Sequence, residues 1–362
     1  MEIMMSKRLR VGILFGGKSA EHEISLKSAR NVVNAIDRDK YDILLLGIDK
    51  EGRWRLANNP DQIPTKGDGE SLTLIPGDFG GELLRVNNRK PIDRIDVIFP
   101  VLHGPFGEDG TVQGLLKLAD IPFVGSSVLG SAIGMDKDVM KRLLRDAGLS
   151  VADFMTVYFH EKNKPDYEGI RARFGVPFFV KPANMGSSVG VHKVHDSREF
   201  ESALKDAFLF DSKVVIEEWI HGREIECAVL GNENPIASLP GEILPSHDFY
   251  SYEAKYVDEK GAVLEIPARL SKETAQKIQD LSIRAFKTIC CEGMARVDCF
   301  LKDNGTVVIN ELNTIPGFTS ISMYPMLWKA SGISYSALID RLIQLAIERH
   351  ERERRLRTDY RD

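Results

Sequence analysis

Residues 295–314, ARVDCFLKDNGTVVINELNT, constrain the fold more than any other stretch of this 362-residue chain. Apolar and polar residues alternate on both sides of Asn304-Gly305, a dipeptide typical of a two-residue β-hairpin turn. With such a turn, Asp298 lies opposite Glu311 and Arg296 lies opposite Asn313. Because side chains on a strand alternate between its two faces, all four point to one face. The stretch therefore predicts an antiparallel hairpin with a charged face.

The charged face of this hairpin suggests a metal site. Two carboxylates directly opposite each other, with Cβ atoms about 4.5–5.5 Å apart, repel one another. A divalent cation between them removes the repulsion, and the oxygen ligands of Asp298, Glu311 and Asn313 suit Mg²⁺ or Mn²⁺. The alternative is a solvent-exposed acidic pair tempered by Arg296. We favour the metal site because the flanking strands are apolar enough to be buried.

The first third of the chain alternates strand-like and helix-like segments. Apolar runs of strand length occupy 10–15, 41–48 and 95–102. The segment after the first run has a helical apolar face formed by Leu26, Ala29, Val33 and Ile36. Residues 58–92, rich in Asn, Asp, Gly and Pro, are typical of a loop. This part predicts an α/β unit with an open parallel sheet.

The pattern changes near residue 135, where we place a domain boundary. Residues 135–150 predict a helix, and the apolar segments from 176 onward are typical of hairpin strands. Residues 240–262 are polar and aromatic without periodicity, as in loops that close over active sites. Further helices are predicted at 271–289 and from 334 onward.

Composition narrows the classes of function. A net charge of −5 and a pI of about 6.0 argue against a dedicated nucleic-acid-binding protein, which should be basic. No apolar run approaches the about 18 residues of a membrane span, and the N-terminus resembles no signal peptide, so we expect a cytoplasmic protein without membrane partners. The cysteines lack zinc-ligand spacing and are predicted to be small core residues. They are Cys227, Cys290, Cys291 and Cys299.

Residues 12–19, GILFGGKS, match the phosphate-binding pattern G-x-x-x-x-G-K-S. In a functional loop of this kind the first glycine follows the strand, whereas Gly12 falls inside the predicted strand. The remaining loop is too short to wrap phosphates, and Glu21 and Glu23 would repel them. We therefore predict that Lys18 does not bind phosphate.

Other segments carry candidate binding residues. Glu21 begins a helix at the edge where open α/β sheets bind ligands, so its carboxylate either holds a substrate amine or complements the helix dipole. In FFVKPANMGSSVG (178–190), Lys181 ends a strand before a Gly/Ser loop suited to phosphate. Residues 214–224, VVIEEWIHGRE, either offer a strand edge to a purine or form an ordinary half-buried strand. Lys137, taken alone, is typical of a solvated lysine.

Several motifs together resemble the D-alanine–D-alanine ligases of the ATP-grasp superfamily, from about residue 8 to 345. In chain order they are FGGKSAEHEISLKSA, PVLHGPFGEDGTVQG, MDKDVMK, FFVKPANMGSSVG, IEEWIHGRE, YEAKY, RVDCF and INELNTIPGFTSIS. The resemblance implies an N-terminal open parallel-sheet substrate domain (1–134) followed by a two-part ATP-grasp fold. The central subdomain would span 135–225, and the C-terminal catalytic subdomain would span 226–362, with the lid loop at about 240–262.

The family resemblance also implies a reaction. ATP phosphorylates the carboxylate of one D-alanine, and the amine of a second D-alanine attacks the acyl phosphate, giving D-alanyl-D-alanine for peptidoglycan precursor synthesis and cell-wall biogenesis. Holding a carboxylate and a γ-phosphate in line needs cations and the exclusion of water. The implied cofactors are ATP and two Mg²⁺ ions, with Mn²⁺ as a substitute.

By the same resemblance, residues at matching positions receive roles. The nucleotide contacts are Lys137, Lys181, Glu217, Glu218, Trp219, Ile220 and Glu224. The metal ligands are Asp298, Glu311 and Asn313. The catalytic set is Glu21, Ser187, Tyr256, Arg296 and Gly317. The substrate contacts are His103, Lys255, Ser322 and Met323.

Four of these implied roles are specific. Arg296 and the backbone near Gly317 stabilise the tetrahedral oxyanion. Glu21 holds the first substrate's ammonium, and Glu21, Ser187 and Tyr256 form a hydrogen-bonded bridge that closes the lid. Lys255, Ser322 and Met323 form the pocket for the second substrate's carboxylate.

Other functions remain open from the sequence. The tyrosine in EAKY favours dipeptide formation over use of D-lactate, but a D-Ala–D-Lac ligase or another ATP-grasp carboxylate–amine ligase is the alternative. A non-catalytic ATP-binding regulator is a third hypothesis. The presence of all four charged or polar hairpin residues, Arg296, Asp298, Glu311 and Asn313, argues against it.

Met185 departs from the family pattern, in which a charged residue is frequent at this position. We expect small-molecule substrates, no nucleic acid and a homodimer.

Overall fold

The structure is a computed structural model that describes residues 8–63, 70–77, 83–92, 94–245, 262–357 and 359–360. In this part of the chain the strands form three sheets with helices against them. The strands are β1 (Leu9–Gly16), β2 (Tyr41–Ile48), β3 (Trp54–Ala57), β4 (Ser71–Leu74), β5 (Leu83–Arg85), β6 (Val97–Pro100), β7 (Phe154–Tyr158), β8 (Phe178–Pro182), β9 (His192–Val194), β10 (Lys213–Glu218), β11 (Arg223–Gly231), β12 (Ile236–Ala237), β13 (Gly241–Pro245), β14 (Ala262–Glu265), β15 (Gly293–Leu301) and β16 (Val307–Asn313). The helices are α1 (His22–Ala35), α2 (Thr111–Leu118), α3 (Val128–Met135), α4 (Lys137–Asp146), α5 (Tyr167–Phe174), α6 (Ser197–Phe210), α7 (Lys272–Thr288), α8 (Met323–Ala330) and α9 (Tyr335–Arg354).

The first sheet has the order β5-β4-β3-β2-β1-β6. The half formed by β2, β1 and β6 is parallel, because β1 pairs in parallel with both of the others, which confirms the predicted α/β class. The other half is antiparallel. The prediction of a loop over 58–92 is wrong in part, since β4 and β5 lie within it. These strands are only four and three residues long, too short to show alternation among polar neighbours.

The second and third sheets follow along the chain. The second has the order β7-β10-β8-β9, and α6 packs against it through Phe200, Ala203 and Leu204. The third has the order β14-β13-β11-β15-β16, with β12 beside β11. One apolar core joins the first and third sheets to α8 and α9, with Phe99 and Phe318 in edge-to-face contact. Residues far apart in sequence therefore meet between these sheets.

Capping side chains decide where several helices begin. The predicted helix over 135–150 starts at Lys137, because Asp136 accepts a hydrogen bond from the Val139 N–H at 3.1 Å. Ser271 and Ser334 cap α7 and α9 in the same way, so both predicted helices are confirmed.

The turn between β15 and β16 differs from the prediction. The Lys302 N–H donates to the Thr306 carbonyl at 2.9 Å, so residues 303–305 form a three-residue connection. Gly305 adopts a φ of 77°, as expected for glycine at the left-handed position of such a loop. The prediction of a two-residue turn is therefore wrong.

The register at the charged residues is nevertheless as predicted. Asp298 pairs with Glu311 and Arg296 with Asn313, whereas nearer the turn Cys299 pairs with Ile309. The shift leaves Asn310 as an extra residue on β16, a β-bulge. The longer turn shifts the pairing of β16 with β15 by one residue, and the bulge shifts it back by one residue. The two differences therefore cancel at the charged residues.

Two smaller predictions can also be compared with the structure. Gly12 lies inside β1, as predicted, so the glycine spacing of GILFGGKS does not form the loop that a phosphate-binding motif requires. Three of the cysteines are buried as predicted, but Cys290 is exposed because it lies in the turn after α7. Among the described residues no helix is long and apolar enough to cross a membrane.

Candidate active site

Glu21 and Ser187 bring the first sheet and the Gly/Ser loop together. The Ser187 hydroxyl donates a hydrogen bond to Glu21 Oε1, although 166 residues separate the two. Glu21 stands at the N-cap of α1 but makes no side-chain capping hydrogen bond to that helix. Its carboxylate is thus directed to the loop, which favours the binding role over helix-dipole complementation.

Two glycines allow this close approach. A Cβ at Gly104 would lie 2.9 Å from Glu21 Oε2, and a Cβ at Gly186 would lie 3.2 Å from it. Glu108 is nearby and accepts a hydrogen bond from the Gly104 N–H at 2.7 Å. Burial and the negative charge of Glu21 raise the pKa of Glu108 to about 8. The carboxyl of Glu108 therefore tends to keep its proton near neutral pH.

His103 is a buried link between α1 and the segment before α8. One ring nitrogen, Nδ1, lies 3.2 Å from the Ile315 carbonyl, and the other, Nε2, lies 3.2 Å from Ser28 Oγ. The Phe318 N–H donates to the same hydroxyl at 3.3 Å. Burial lowers the pKa of His103. A neutral ring with the proton on Nδ1 satisfies both contacts.

A cleft holds Lys137 beside the hairpin. It is lined by Glu108, by Lys137 and by residues 134–135, 185–186 and 311–314. Lys137 Nζ donates to the Met185 carbonyl at 2.6 Å and lies 3.8 Å from Glu311 Oε2. The contact uses the backbone of Met185, so it does not depend on the side chain that departs from the family pattern.

Glu217 lies between two lysines. Lys181 Nζ donates to Glu217 Oε1, and Lys141 Nζ forms an ion pair with Glu217 Oε2 at 2.9 Å. Burial acts to raise the pKa of Glu217, but Lys141 and Lys181 outweigh it and lower the pKa to about 2. Lys137 interacts electrostatically with Glu217 as well as with Glu311, so three ammonium groups lie beside two carboxylates here. The surplus of positive charge suits a polyanion such as a nucleotide phosphate chain.

The predicted nucleotide contacts after Glu217 occupy different environments. Trp219 is 41% exposed, and Ile220 is buried. The apolar cluster around Ile220 contains Ala152, Phe300 and Val308. Glu218 accepts a hydrogen bond from the Asp153 N–H at 2.8 Å, and Glu224 lies half-buried on β11. The cluster and the tryptophan provide an apolar surface of the kind that purine rings bind.

Arg296 stands between two carboxylates. It donates to Asp298 through Nε at 2.7 Å and a terminal nitrogen at 2.6 Å, and its Nε lies 2.9 Å from Glu226 Oε2. Burial acts to lower the pKa of Arg296, but Asp298 and Glu226 raise it well above its ordinary value. The guanidinium is therefore permanently charged and rigidly held.

The candidate metal ligands form one group of oxygen donors. Asp298 and Glu311 are directly paired across the hairpin, and Asn313 Nδ2 donates to Asp298 Oδ2 at 2.9 Å. No cluster of three or more His, Cys, Asp or Glu side chains is arranged for metal binding within the described ranges. Two carboxylates and an amide fit a hard cation only if water or phosphate oxygens supply its other ligands.

The segment before α8 places the remaining predicted residues. A Cβ at Gly317 would lie 2.7 Å from Ser322 Oγ, and Ser322 Oγ accepts from the Thr319 N–H at 2.9 Å. Met323 begins α8 and is buried, with its Cε only 2.7 Å from a Cβ built at Gly241. The Met323 side chain is thus part of the core, and its backbone N–H is the part left for a ligand. Tyr256 and Lys255 lie outside the described residues.

Sequence reasoning missed Glu108, Lys141 and Glu226. Lys141 follows Lys137 by four residues on α4, so helical periodicity places both on one face and is a signal that was available. Glu108 lies within a quoted motif, PVLHGPFGEDGTVQG. Glu226 is opposite Asp298 only through the β11–β15 pairing, which no local pattern reveals.

Comparisons with known proteins identify the family of this chain. The family described as D-ala D-ala ligase N-terminus matches residues 10–126, and D-ala D-ala ligase C-terminus matches residues 143–344. A D-alanine–D-alanine ligase of Oceanobacillus iheyensis is 56% identical over 98% of this chain and 99% of its own. The solved D-alanine-D-alanine ligase from Coxiella burnetii has a TM-score of 0.85 at 40% identity, covering 97% of both chains. The VanG D-Ala:D-Ser ligase from Enterococcus faecalis has a TM-score of 0.85 at 36% identity, covering 94% of this chain and 100% of its own. The chain belongs to the D-alanine–D-alanine ligase family.

Proposed function

We propose that this protein joins two D-alanine molecules into D-alanyl-D-alanine, with conversion of ATP to ADP and phosphate. The observation that carries the proposal is one cleft in which Lys137 lies 3.8 Å from Glu311 and which is also lined by Gly186, the sequence neighbour of Ser187 in the Glu21–Ser187 link. The cleft thus brings together three kinds of group. They are cations that can bind a phosphate chain, oxygen ligands that can bind a metal, and a carboxylate that can bind an ammonium group. Such convergence suits phosphoryl transfer to a substrate carboxylate.

ATP binds, in this proposal, along the second sheet. Lys137 and Lys181 contact the phosphates, while the apolar cluster around Ile220 and the exposed face of Trp219 contact adenine. Glu218 and Glu224, which lie near Trp219 and Ile220 in the sequence, contact the base and the ribose. The three lysines around Glu217 and Glu311 support this placement, because they carry one more positive charge than the two carboxylates neutralise.

The hairpin residues Asp298, Glu311 and Asn313 would hold Mg²⁺ or Mn²⁺ beside those phosphates. Bound there, two divalent ions would neutralise charge on the phosphate oxygens during transfer. The direct pairing of Asp298 with Glu311 supports the assignment, since two adjacent carboxylates repel unless a cation lies between them.

Two D-alanine molecules bind, in the same proposal, between Glu21 and α8. Glu21 holds the first ammonium, and its neighbour His103 fixes the segment that carries Gly317. The carboxylate oxygen of this D-alanine attacks the γ-phosphorus of ATP, and ADP leaves. The amine nitrogen of the second then attacks the acyl carbon, phosphate leaves and the nitrogen loses a proton.

Arg296 and the N–H groups near Gly317 would stabilise the oxyanion formed in that attack. Ser322 and the N-terminal N–H groups of α8, beginning at Met323, would bind the second carboxylate together with Lys255. Tyr256 would join the Glu21–Ser187 link and close the loop over the site, which excludes water.

Phosphate release from ATP, measured with D-alanine, L-alanine, D-serine and D-lactate in turn, tests the proposal. We expect release that depends on D-alanine and a product with the mass of the dipeptide. ATP hydrolysis that ignores the added amino acid, or nucleotide binding without turnover, would contradict it. Because VanG is a D-Ala:D-Ser ligase of similar fold, mixtures of D-alanine with D-serine or D-lactate identify the acceptor.

We also propose that the chain acts in the cytoplasm, where ATP is available, and as a homodimer. The absence of a membrane-spanning helix among the described residues is compatible with the first statement. Light scattering after size exclusion tests the second, for which a mass near twice 40.5 kDa is expected.

A further inference from the structure

Lys141 is a buried lysine for which the family resemblance provides no role. The side chain of Lys141 is 1% exposed, and the residue lies one helical turn after Lys137 on α4. Its ammonium is 2.9 Å from Glu217 Oε2 and 5.9 Å from the centroid of the Phe154 ring. A buried ammonium is costly unless a carboxylate compensates it, so this position has a specific electrostatic purpose.

The ion pair of Lys141 gives Glu217 a second counterion. Glu217 Oε1 accepts from Lys181, while Oε2 faces Lys141. One carboxylate is thus shared by two ammonium groups, and either lysine can leave without exposing an unpaired buried charge. The Lys181 side chain is 14% exposed and the Lys141 side chain is 1% exposed, so Lys181 is the one that can turn to a ligand.

We propose that Lys141 is a positioning residue for nucleotide binding: it keeps Glu217 ionised and in place, which releases Lys181 to bind the phosphates of ATP. This inference rests on the proposed function. Without the ammonium of Lys141, Lys181 becomes the main counterion of a buried carboxylate and has to remain with it. Affinity for the nucleotide would then fall although Lys141 does not touch the nucleotide.

The test compares Lys141→Met, which keeps the apolar stem but removes the charge, with the unaltered protein. We expect the KM for ATP and the Kd for ADP to rise about tenfold or more, with kcat within about threefold, because ground-state binding is lost rather than transition-state stabilisation. Lys141→Arg, which keeps the charge, should restore at least part of the affinity.

Glu217→Gln provides the second arm. Once the carboxylate is neutral, Lys181 is released with or without Lys141, so adding Lys141→Met to Glu217→Gln should change the Kd for ADP less than about threefold. An additive effect of the two substitutions would overturn the proposal, because residues that act through one another are non-additive.

Lys213→Met is the matched control. Lys213 lies on β10, forms an ion pair with Asp136 and lies 3.6 Å from Asp138, so its loss disturbs the same helix without touching Glu217. It should leave the Kd for ADP unchanged. An equal loss of affinity in Lys213→Met would show that α4 is merely loosened, and would overturn the proposal. If Lys141→Met does not fold, Lys141→Gln takes its place in both arms with the same expected direction.

Calorimetric titration with ADP separates this inference from the proposed function. If the unaltered protein fails to bind ADP, the proposed function is wrong. If it binds ADP and Lys141→Met binds equally well, only the role of Lys141 is wrong.

Discussion

The Ser187 hydroxyl donates a hydrogen bond to Glu21 Oε1, and this contact fastens the Gly/Ser loop to the first helix. Ser187 has a φ of 50°, in the left-handed region that is unfavourable for residues with a side chain. Backbone strain of this kind persists where the surroundings fix the residue, and it is frequent at functional sites. The hydrogen bond to Glu21 is such a constraint.

Replacing Ser187 by alanine should weaken catalysis. A hydrogen bond to a charged group contributes about 1.5–3 kcal/mol, which corresponds to about 10–160-fold in kcat/KM for D-alanine. Ser188→Ala is the control, since Ser188 shares the loop and has a similar φ of 60°. Steady-state kinetics decide the matter, and equal effects of the two substitutions would show that the loop, and not its contact with Glu21, is responsible.

Lys18→Ala should leave nucleotide binding nearly unchanged, because Lys18 is exposed and follows a strand that already contains Gly12. Lys181→Ala should raise the KM for ATP about a hundredfold or abolish activity, since it removes a proposed phosphate contact and leaves Glu217 with one counterion fewer. Both variants are compared by ADP titration. A folded Lys18→Ala protein that no longer binds ADP would restore the phosphate-loop interpretation of residues 12–19.

Asp298→Asn and Glu311→Gln should affect Mg²⁺ dependence alike but stability differently. Each removes a proposed metal ligand, so each should raise the Mg²⁺ concentration needed for activity about tenfold or more. Asp298→Asn also removes one of the two oxygens that accept hydrogen bonds from Arg296 and should cost about 2 kcal/mol of unfolding free energy. Glu311→Gln relieves repulsion with Asp298 and loses only the 3.8 Å contact with Lys137, so it should cost less.

Urea unfolding without metal and a Mg²⁺ titration of activity measure these two effects separately. Normal Mg²⁺ dependence in both variants would exclude a metal site at this hairpin. Equal losses of stability would mean that the contact between Arg296 and Asp298 contributes nothing beyond the surrounding structure.

Glu108 should make stability depend on pH. Burial and Glu21 raise its pKa from 4.5 to about 8, so between these values the folded protein holds a proton that the unfolded chain releases. The contribution of Glu108 to the unfolding free energy is fully present below pH 4.5 and is lost as the pH rises through about 8. Glu108→Gln stays neutral, and its unfolding free energy should decline less over this range.

Urea unfolding of the metal-free protein at several pH values checks this difference. Glu201→Gln, on the exposed side of α6, is the control and should follow the unaltered protein. Parallel curves for the Glu108→Gln and unaltered proteins would show that Glu108 is ionised throughout.

Local chemistry determined much of this fold. Ser271 and Ser334 cap the two helices that the sequence predicts at 271–289 and from 334 onward, and the apolar runs at 10–15 and 41–48 form neighbouring parallel strands. These features are set by residues within a few positions of one another, so the sequence alone is sufficient. The charged hairpin is determined by local sequence only in part. The pairing of its charged residues agrees with the prediction, whereas its turn is longer than predicted and its bulge was not predicted.

Tertiary structure decided which charges meet. Three contacts each join different elements of the chain: Ser187 with Glu21, Glu217 with Lys141, and Arg296 with Glu226. Their formation depends on how sheets and helices pack, and no spacing along the chain specifies it. The sequence, through its motifs, therefore determined the family and most candidate residues. Only the packing decided which carboxylate neutralises which cation, because electrostatic interaction depends on distance in space and on burial.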